Sequence, residues 1–342
     1  MSSTCYASCR IKVYLIALIG VIVVLFLYWR YINLGYNITK VTSFLMDTLV
    51  TIEIEDAGRH STLANEGIKI MEDLQNKFDL NLASSDIGRI NASAGIGPVE
   101  VSKDTLEVIK EAIRISEISD GAFDITIGAL TREWGFTDGK YRLPSTREIK
   151  EKLKLVNYNY IKISDSKVEL TRKGMLLDLG GIAKGYAVDK VCEFLKAKGV
   201  KRAIINAGGT IKTVERESKR IWKIGIKDPT GKKEILGVLY LNSGKAVATS
   251  GDYERYFVKD GIRYHHLLDP KTGYPSNLCR SVTVVSERAV EADALSTAIF
   301  VLGPKDGLNL AKRLGVGVVI VDSDNNIFIS DDLKDRFKPD EQ

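Results

Sequence analysis

Toward the C-terminal end, the segment EADALSTAIFVLG (Glu291–Gly303) sets a carboxylate and an alcohol at helical spacing. Asp293 and Thr297 stand at i and i+4, so on a helix they share one face, with Cβ atoms roughly 5–6 Å apart. One anionic and one hydroxyl oxygen suit a hard cation such as Mg²⁺, which prefers oxygen ligands and keeps part of its water shell. The rest of that face is Ala, Leu, Ile and Val, where a carboxylate without a partner is costly to bury. An Asp that helps to cap the helix is the structural alternative.

Three other segments gather glycine, acid and hydroxyl residues. DLGGIAKGYAVDK (Asp178–Lys190) runs from a strand-like LLD into a helix, with Lys184 in its first turn. Free N–H groups and the positive end of a helix dipole attract phosphate at such a place. The spacing is neither GxxxxGK[ST] nor GxGxxG, and a generic Gly-rich turn is the alternative. SDGAFDITIGALTREWGF (Ser119–Phe136) offers a glycine for close backbone approach, with Phe123 and Trp134 as planar surfaces; a helix C-cap followed by buried aromatics reads it equally well. VATSGDYERYF (Val247–Phe257) and YHHLLDPKTGYP (Tyr264–Pro275) bracket a hairpin carrying two of the three histidines, His265 and His266. Neighbours on a strand face opposite ways, so at most one of them points into a given site. Together the four segments predict a metal, a phosphate cradle and aromatic surfaces, as a nucleotide or flavin would need.

The elements that must position these residues follow from periodicity. The 342 residues are 44% hydrophobic, enough for a sizeable core, and a formal charge of +5 spread among interleaved acids and bases gives no nucleic-acid stripe. VTIEIE (Val50–Glu55) alternates as a half-buried strand. Helices are predicted over 60–78, from Ser102 or Asp104 to a stop at Gly121, over 181–198, and over 289–302 with a second after Pro304. Hairpins and helices mix without a βαβ rhythm, which predicts an α+β class. Val13–Trp29 is apolar and uncharged, flanked by Arg10, Lys12 and Arg30. It predicts an uncleaved transmembrane anchor over 13–29 after a cytoplasmic 1–12. A tether over 30–43 and one domain over 44–336 complete the organisation, with the catalytic part extracytoplasmic at the cell membrane. None of the four cysteines sits in a CxxC, so no disulfide framework is predicted.

From Met46 to Gly303 the chain resembles the FAD:protein FMN transferase (ApbE) family, through SDGAFDITIG, WGF, DLGGIAKGYAVD, INAGG, TSGDYER, HHLLDPKTG and EADALSTA in that order. The resemblance implies a T-fold-like α+β domain and Mg²⁺-dependent transfer of the FMN half of FAD to a Thr or Ser of an acceptor flavoprotein, releasing AMP. The acceptor would belong to membrane or extracytoplasmic electron transfer. FAD contacts are implied at Met46, Ala122, Phe123, Asp124, Asp178, Lys184 and Leu268, with Ser250 and Gly251 as neighbours. Magnesium would be held by Asp293, Thr297 and the Gly181 carbonyl, while Lys184 supplies a cation and His266 the general base. Asn81, Ser296 and Asp47 depart from the family's commoner pattern, the last replacing the glycine of Met-Gly-Thr. FAD hydrolysis to FMN and AMP, or flavin binding alone, are the alternative functions.

Overall fold

The computed structural model describes residues 19–26, 38–55, 61–215 and 221–340. Eight strands form the main sheet: β1 (Ile38–Leu45), β2 (Thr48–Glu55), β3 (Arg202–Ala207), β4 (Thr210–Glu215), β5 (Ala246–Gly251), β6 (Cys279–Ser286), β7 (Gly317–Asp322) and β8 (Ile327–Ile329). They lie side by side in chain order, each antiparallel to the next. The α+β class is therefore observed, with the connections between strands carrying the helices.

Four long helices are α1 (Ser61–Phe78), α2 (Lys103–Ile118), α3 (Ala183–Ala197) and α4 (Ala289–Leu314). Ser102 caps α2, its hydroxyl accepting from the Thr105 N–H, and Gly121 lies just past the helix at φ 72°. α4 breaks at Gly303 (φ 78°, ψ 179°) before Pro304, where the sequence predicts the end of one helix and the start of another.

Alternation sends β6 side chains to both faces of the sheet. Val282 and Val284 join the main core with Leu295, Ile299 and Phe300 of α4. Val285 faces a second core, built with Trp222, Ile224, Leu239 and Leu241 from a three-stranded sheet of 221–227, 235–242 and 337–339. β6 is buried on both faces, at every position but Arg280, although Ser281, Thr283 and Ser286 interrupt its apolar residues. A third cluster, Leu130, Trp134, Phe136, Ile149 and Leu268, lies under the 256–265 hairpin.

Two expectations differ from the structure. The segment read as a tether ends in β1, which pairs with β2 over its whole length; its outer face is open, so polar residues weaken the apolar signal. The domain also runs past 336, since Phe337–Pro339 pairs with 237–239. Of the apolar run 13–29, only 19–26 is described, as a helix with exposed side chains. The rest of that run, with 1–12 and 30–37, lies outside the described residues. Among those described, no helix is long and apolar enough to cross a membrane.

Candidate active site

The start of α3 is shaped by its own acid. The Asp178 carboxylate accepts from the Gly180 N–H at 2.9 Å, turning the chain, and from the Thr131 hydroxyl at 2.9 Å. Its backbone N–H donates to Ile125, which ties the turn to the Ser119–Phe136 segment. Lys184 curls back so that its ammonium donates to the Gly180 carbonyl at 3.0 Å. At Gly181 a Cβ would stand 3.1 Å from the Phe123 ring and 3.3 Å from the Thr297 hydroxyl. A side chain here would have to displace the Phe123 ring and the Thr297 hydroxyl by a few tenths of an ångström, so this turn lies close against α4.

Asp293 is 6% exposed, and its burial is compensated by partners from two other elements. One carboxylate oxygen accepts from the Gly185 N–H at 2.9 Å; the other accepts from the Thr210 hydroxyl at 3.2 Å, with the Lys184 ammonium 3.9 Å away. The helix-capping alternative fails in its simplest form, because those partners lie on α3 and β4 rather than at the start of α4. One turn further along α3, Asp189 accepts from the N–H groups of Ala289 and Val290, both at 3.0 Å. α3 thus donates to an acid of α4, while an acid of α3 caps the first turn of α4. The Lys212 ammonium, 2.6 Å from Asp189, completes this joint.

Across the sheet end, the Ser250 hydroxyl lies 2.8 Å from that of Ser296 and 3.2 Å from that of Thr297. Gly181, Lys184, Ser250, Asp293 and Thr297 therefore share one locality, as the sequence predicts. Among the described residues, no group of three or more His, Cys, Asp or Glu side chains is placed to hold a metal ion. A cation held here would take oxygen from one carboxylate, a hydroxyl and a backbone carbonyl.

The two histidines divide as strand alternation requires. His265 is 5% exposed, its Nε2 sits 2.8 Å from the Ser276 carbonyl, and its Nδ1 accepts from the Leu267 N–H. Both its nitrogens serve the fold. His266 places Nδ1 3.2 Å from the Arg255 carbonyl, which can only accept, so Nδ1 carries the proton and Nε2 keeps a lone pair. Burial, with the Arg255 and Lys184 cations adding to it, pushes the His266 pKa well below its ordinary 6.5. The imidazole is neutral at pH 7, ready to accept a proton at Nε2.

The Ser119–Phe136 segment holds the largest departures from expectation. Trp134 is fully buried, donating from its indole N–H to the Gly273 carbonyl, and Phe123 is 4% exposed. Neither offers an open ring face, so the reading as a C-cap followed by buried aromatics describes these side chains better. Ala122 and Leu268 are likewise buried, Leu268 beside Trp134. Asp124 spends its carboxylate on the Thr126 N–H and hydroxyl and on the Tyr158 N–H, and burial raises its pKa. Gly251 is buried with the Tyr253 ring 2.5 Å from where its Cβ would stand.

Met46 and Asp47 form the two-residue turn between β1 and β2, at φ 53° and 59°. Asn-Gly is the usual choice there, because positive φ is strained for other residues. The Gln75 side chain holds the Met46 N–H at 2.5 Å. Thr48, just past the turn, abuts Gly208, two residues before Thr210. Sequence reasoning missed Thr210, Gly185, Asp189 and Lys212; Asp189 lies inside the DLGGIAKGYAVDK block, but the Ala289 N–H it accepts from is a hundred residues away.

Comparison with known proteins points one way. A 35% identical relative, the FAD:protein FMN transferase of Klebsiella pneumoniae, aligns over 81% of this chain and 87% of its own length. The protein of that name from Treponema pallidum is 32% identical, covering 82% of each. Among solved structures, the ApbE protein of Thermotoga maritima superposes with a TM-score of 0.82 at 38% identity, over 88% of this chain and 99% of its own. The flavin transferase ApbE from Vibrio cholerae gives 0.80 at 28% identity, over 88% and 100%. The profile of the ApbE family matches residues 46–320, nearly the whole span from the first turn to β7, and the chain belongs to that family.

Proposed function

We propose that this protein moves the FMN half of FAD onto a threonine or serine hydroxyl of an acceptor flavoprotein, with AMP as leaving group and Mg²⁺ required. The relatives' shared name, FAD:protein FMN transferase, supports the reaction class. The observation that carries the reading is the meeting of Asp293, Thr297 and the Gly181 turn beside Lys184, with a neutral histidine nearby.

The donors fit a hard cation, being oxygen throughout, and the space a Cβ on Gly181 would fill lies against Thr297. Asp293, Thr297 and the Gly181 carbonyl would hold Mg²⁺, which would supply positive charge to offset that of a diphosphate during phosphoryl transfer. Lys184 places a second cation over the same turn, and the first N–H groups of α3 orient anionic oxygens there. His266 Nε2 takes the proton of the acceptor hydroxyl as its oxygen bonds to the FMN-side phosphorus. The bond from that phosphorus to the bridging oxygen breaks, and the electron pair leaves on AMP. We place the acceptor, a flavoprotein of electron transfer, outside the membrane to which 13–29 would fasten the chain.

The test is to incubate a candidate acceptor with the protein, FAD and Mg²⁺, then denature and weigh it. One phosphoester-linked FMN per acceptor, with AMP in solution, is expected. Free FMN and AMP with unlabelled acceptor would make the protein a hydrolase, and intact FAD would leave only binding.

A further inference from the structure

The Ser250–Ser296–Thr297 cluster fixes its own hydrogen directions. Ser296 donates to the backbone carbonyl of Asp293 at 2.8 Å, and a carbonyl cannot return the bond. A hydroxyl has one hydrogen, so at the 2.8 Å contact with Ser250 the oxygen of Ser296 accepts. The hydrogen of Ser250 is then spent on Ser296. At the 3.2 Å contact with Thr297, Ser250 in turn accepts, and Thr297 donates. The relay runs Thr297 to Ser250 to Ser296 to the Asp293 carbonyl, and it leaves the Thr297 lone pairs uncommitted within the cluster, where a Cβ on Gly181 would stand 3.3 Å from the Thr297 oxygen.

We propose that Ser250 and Ser296 are positioning residues which turn the lone pairs of Thr297 toward a divalent cation. This rests on Asp293 and Thr297 being the cation's ligands. A neutral alcohol is a weak ligand, and its orientation decides whether it contributes. Without Ser296, Thr297 is the remaining side-chain partner of the Ser250 hydroxyl, and taking that hydrogen would occupy the Thr297 oxygen and turn its own hydrogen into the site. Without Ser250, the Thr297 hydrogen loses its acceptor. The anchor is the first carbonyl of the turn that carries both ligands, so the carboxylate and the alcohol are oriented from one backbone unit. Ser296 is fully buried, so no water competes for its hydrogen.

The experiment titrates Mn²⁺, without flavin or acceptor, into the protein and follows free Mn²⁺ by its electron paramagnetic resonance signal. Outer partners of metal ligands are worth about 10- to 100-fold in affinity, and Ser250→Ala and Ser296→Ala should each weaken binding by that order. Ser250→Thr, which keeps a hydroxyl, should restore it, and the Ser250→Ala/Ser296→Ala pair should be no weaker than the weaker single variant because both cut one relay. Asp293→Ala should abolish binding. Unchanged affinity in both serine variants, with loss in Asp293→Ala, overturns the relay and leaves the cation site standing. If the unaltered protein binds no Mn²⁺, the ligand assignment beneath it falls instead.

Discussion

At the scale of single residues, the site depends on groups whose burial is compensated from a distance. Asp293 bonds to α3 and β4 rather than to its own helix, so Asp293→Ala removes one of the proposed cation ligands and leaves the Gly185 N–H without its acceptor. Flavin transfer in that variant should be lost, with a stability cost of about 1–3 kcal/mol from the unpaired donor; a variant that still labels the acceptor at the normal rate contradicts the assignment. His266 gives a pH dependence of definite sign. Its pKa lies well below 6.5, so the basic form prevails at neutral pH, and the acidic limb of kcat/KM should fall below 6.5. A limb centred at or above that value would exclude His266 as the base. The Asp293–Thr297 pair is legible in the sequence because both residues lie on one helix. The roles of Thr210 and Ser296 are not, since hydroxyls are common and only tertiary structure selects their partners.

At the scale of elements, α3 and α4 hold each other in register, and their contact tolerates no added atom. A Cβ at Gly185 would lie 2.3 Å from the Ala289 carbonyl oxygen and 2.7 Å from the Asp293 Cβ, both within the same helix crossing. Gly185→Ala should therefore destabilise by about 1–3 kcal/mol through overpacking, measured by denaturant unfolding. Gly97→Ala, where nothing lies within 4 Å, is the matched control. Asp189→Ala should cost more, about 3–5 kcal/mol, because it strands the buried Lys212 and uncaps α4. A loss below 1 kcal/mol, on the order of a surface ion pair, would show that the joint carries little. Helix limits are largely legible, since Ser102, Gly121, Gly199 and the Gly303–Pro304 break all announce themselves locally. The packing of α3 on α4 is not, because Gly185 looks like any glycine in a helical stretch until Ala289 is placed against it.

At the scale of the molecule, the two histidines at the end of the 256–265 hairpin give the fold a response to acid. Burial holds both His265 and His266 below 6.5, so beneath that value the unfolded chain binds more protons than the folded one. The stability these residues lend is complete above 6.5 and declines as the pH drops, which a series of thermal melts in buffers of falling pH would register. A melting temperature insensitive to pH across that range would mean that the imidazoles are no harder to protonate in the native state. The alternation of VTIEIE makes its strand legible, and the absence of a βαβ rhythm gives the class. The order of strands is beyond local pattern, because β2 meets β3 only after an excursion of well over a hundred residues. That order has a consequence for biosynthesis. The sheet's strands leave the ribosome in the sequence in which they sit, but α4, which brings Asp293 and Thr297, emerges only after six of them. A nascent or prematurely terminated polypeptide that stops short of residue 293 holds the glycine turn without its acid and alcohol.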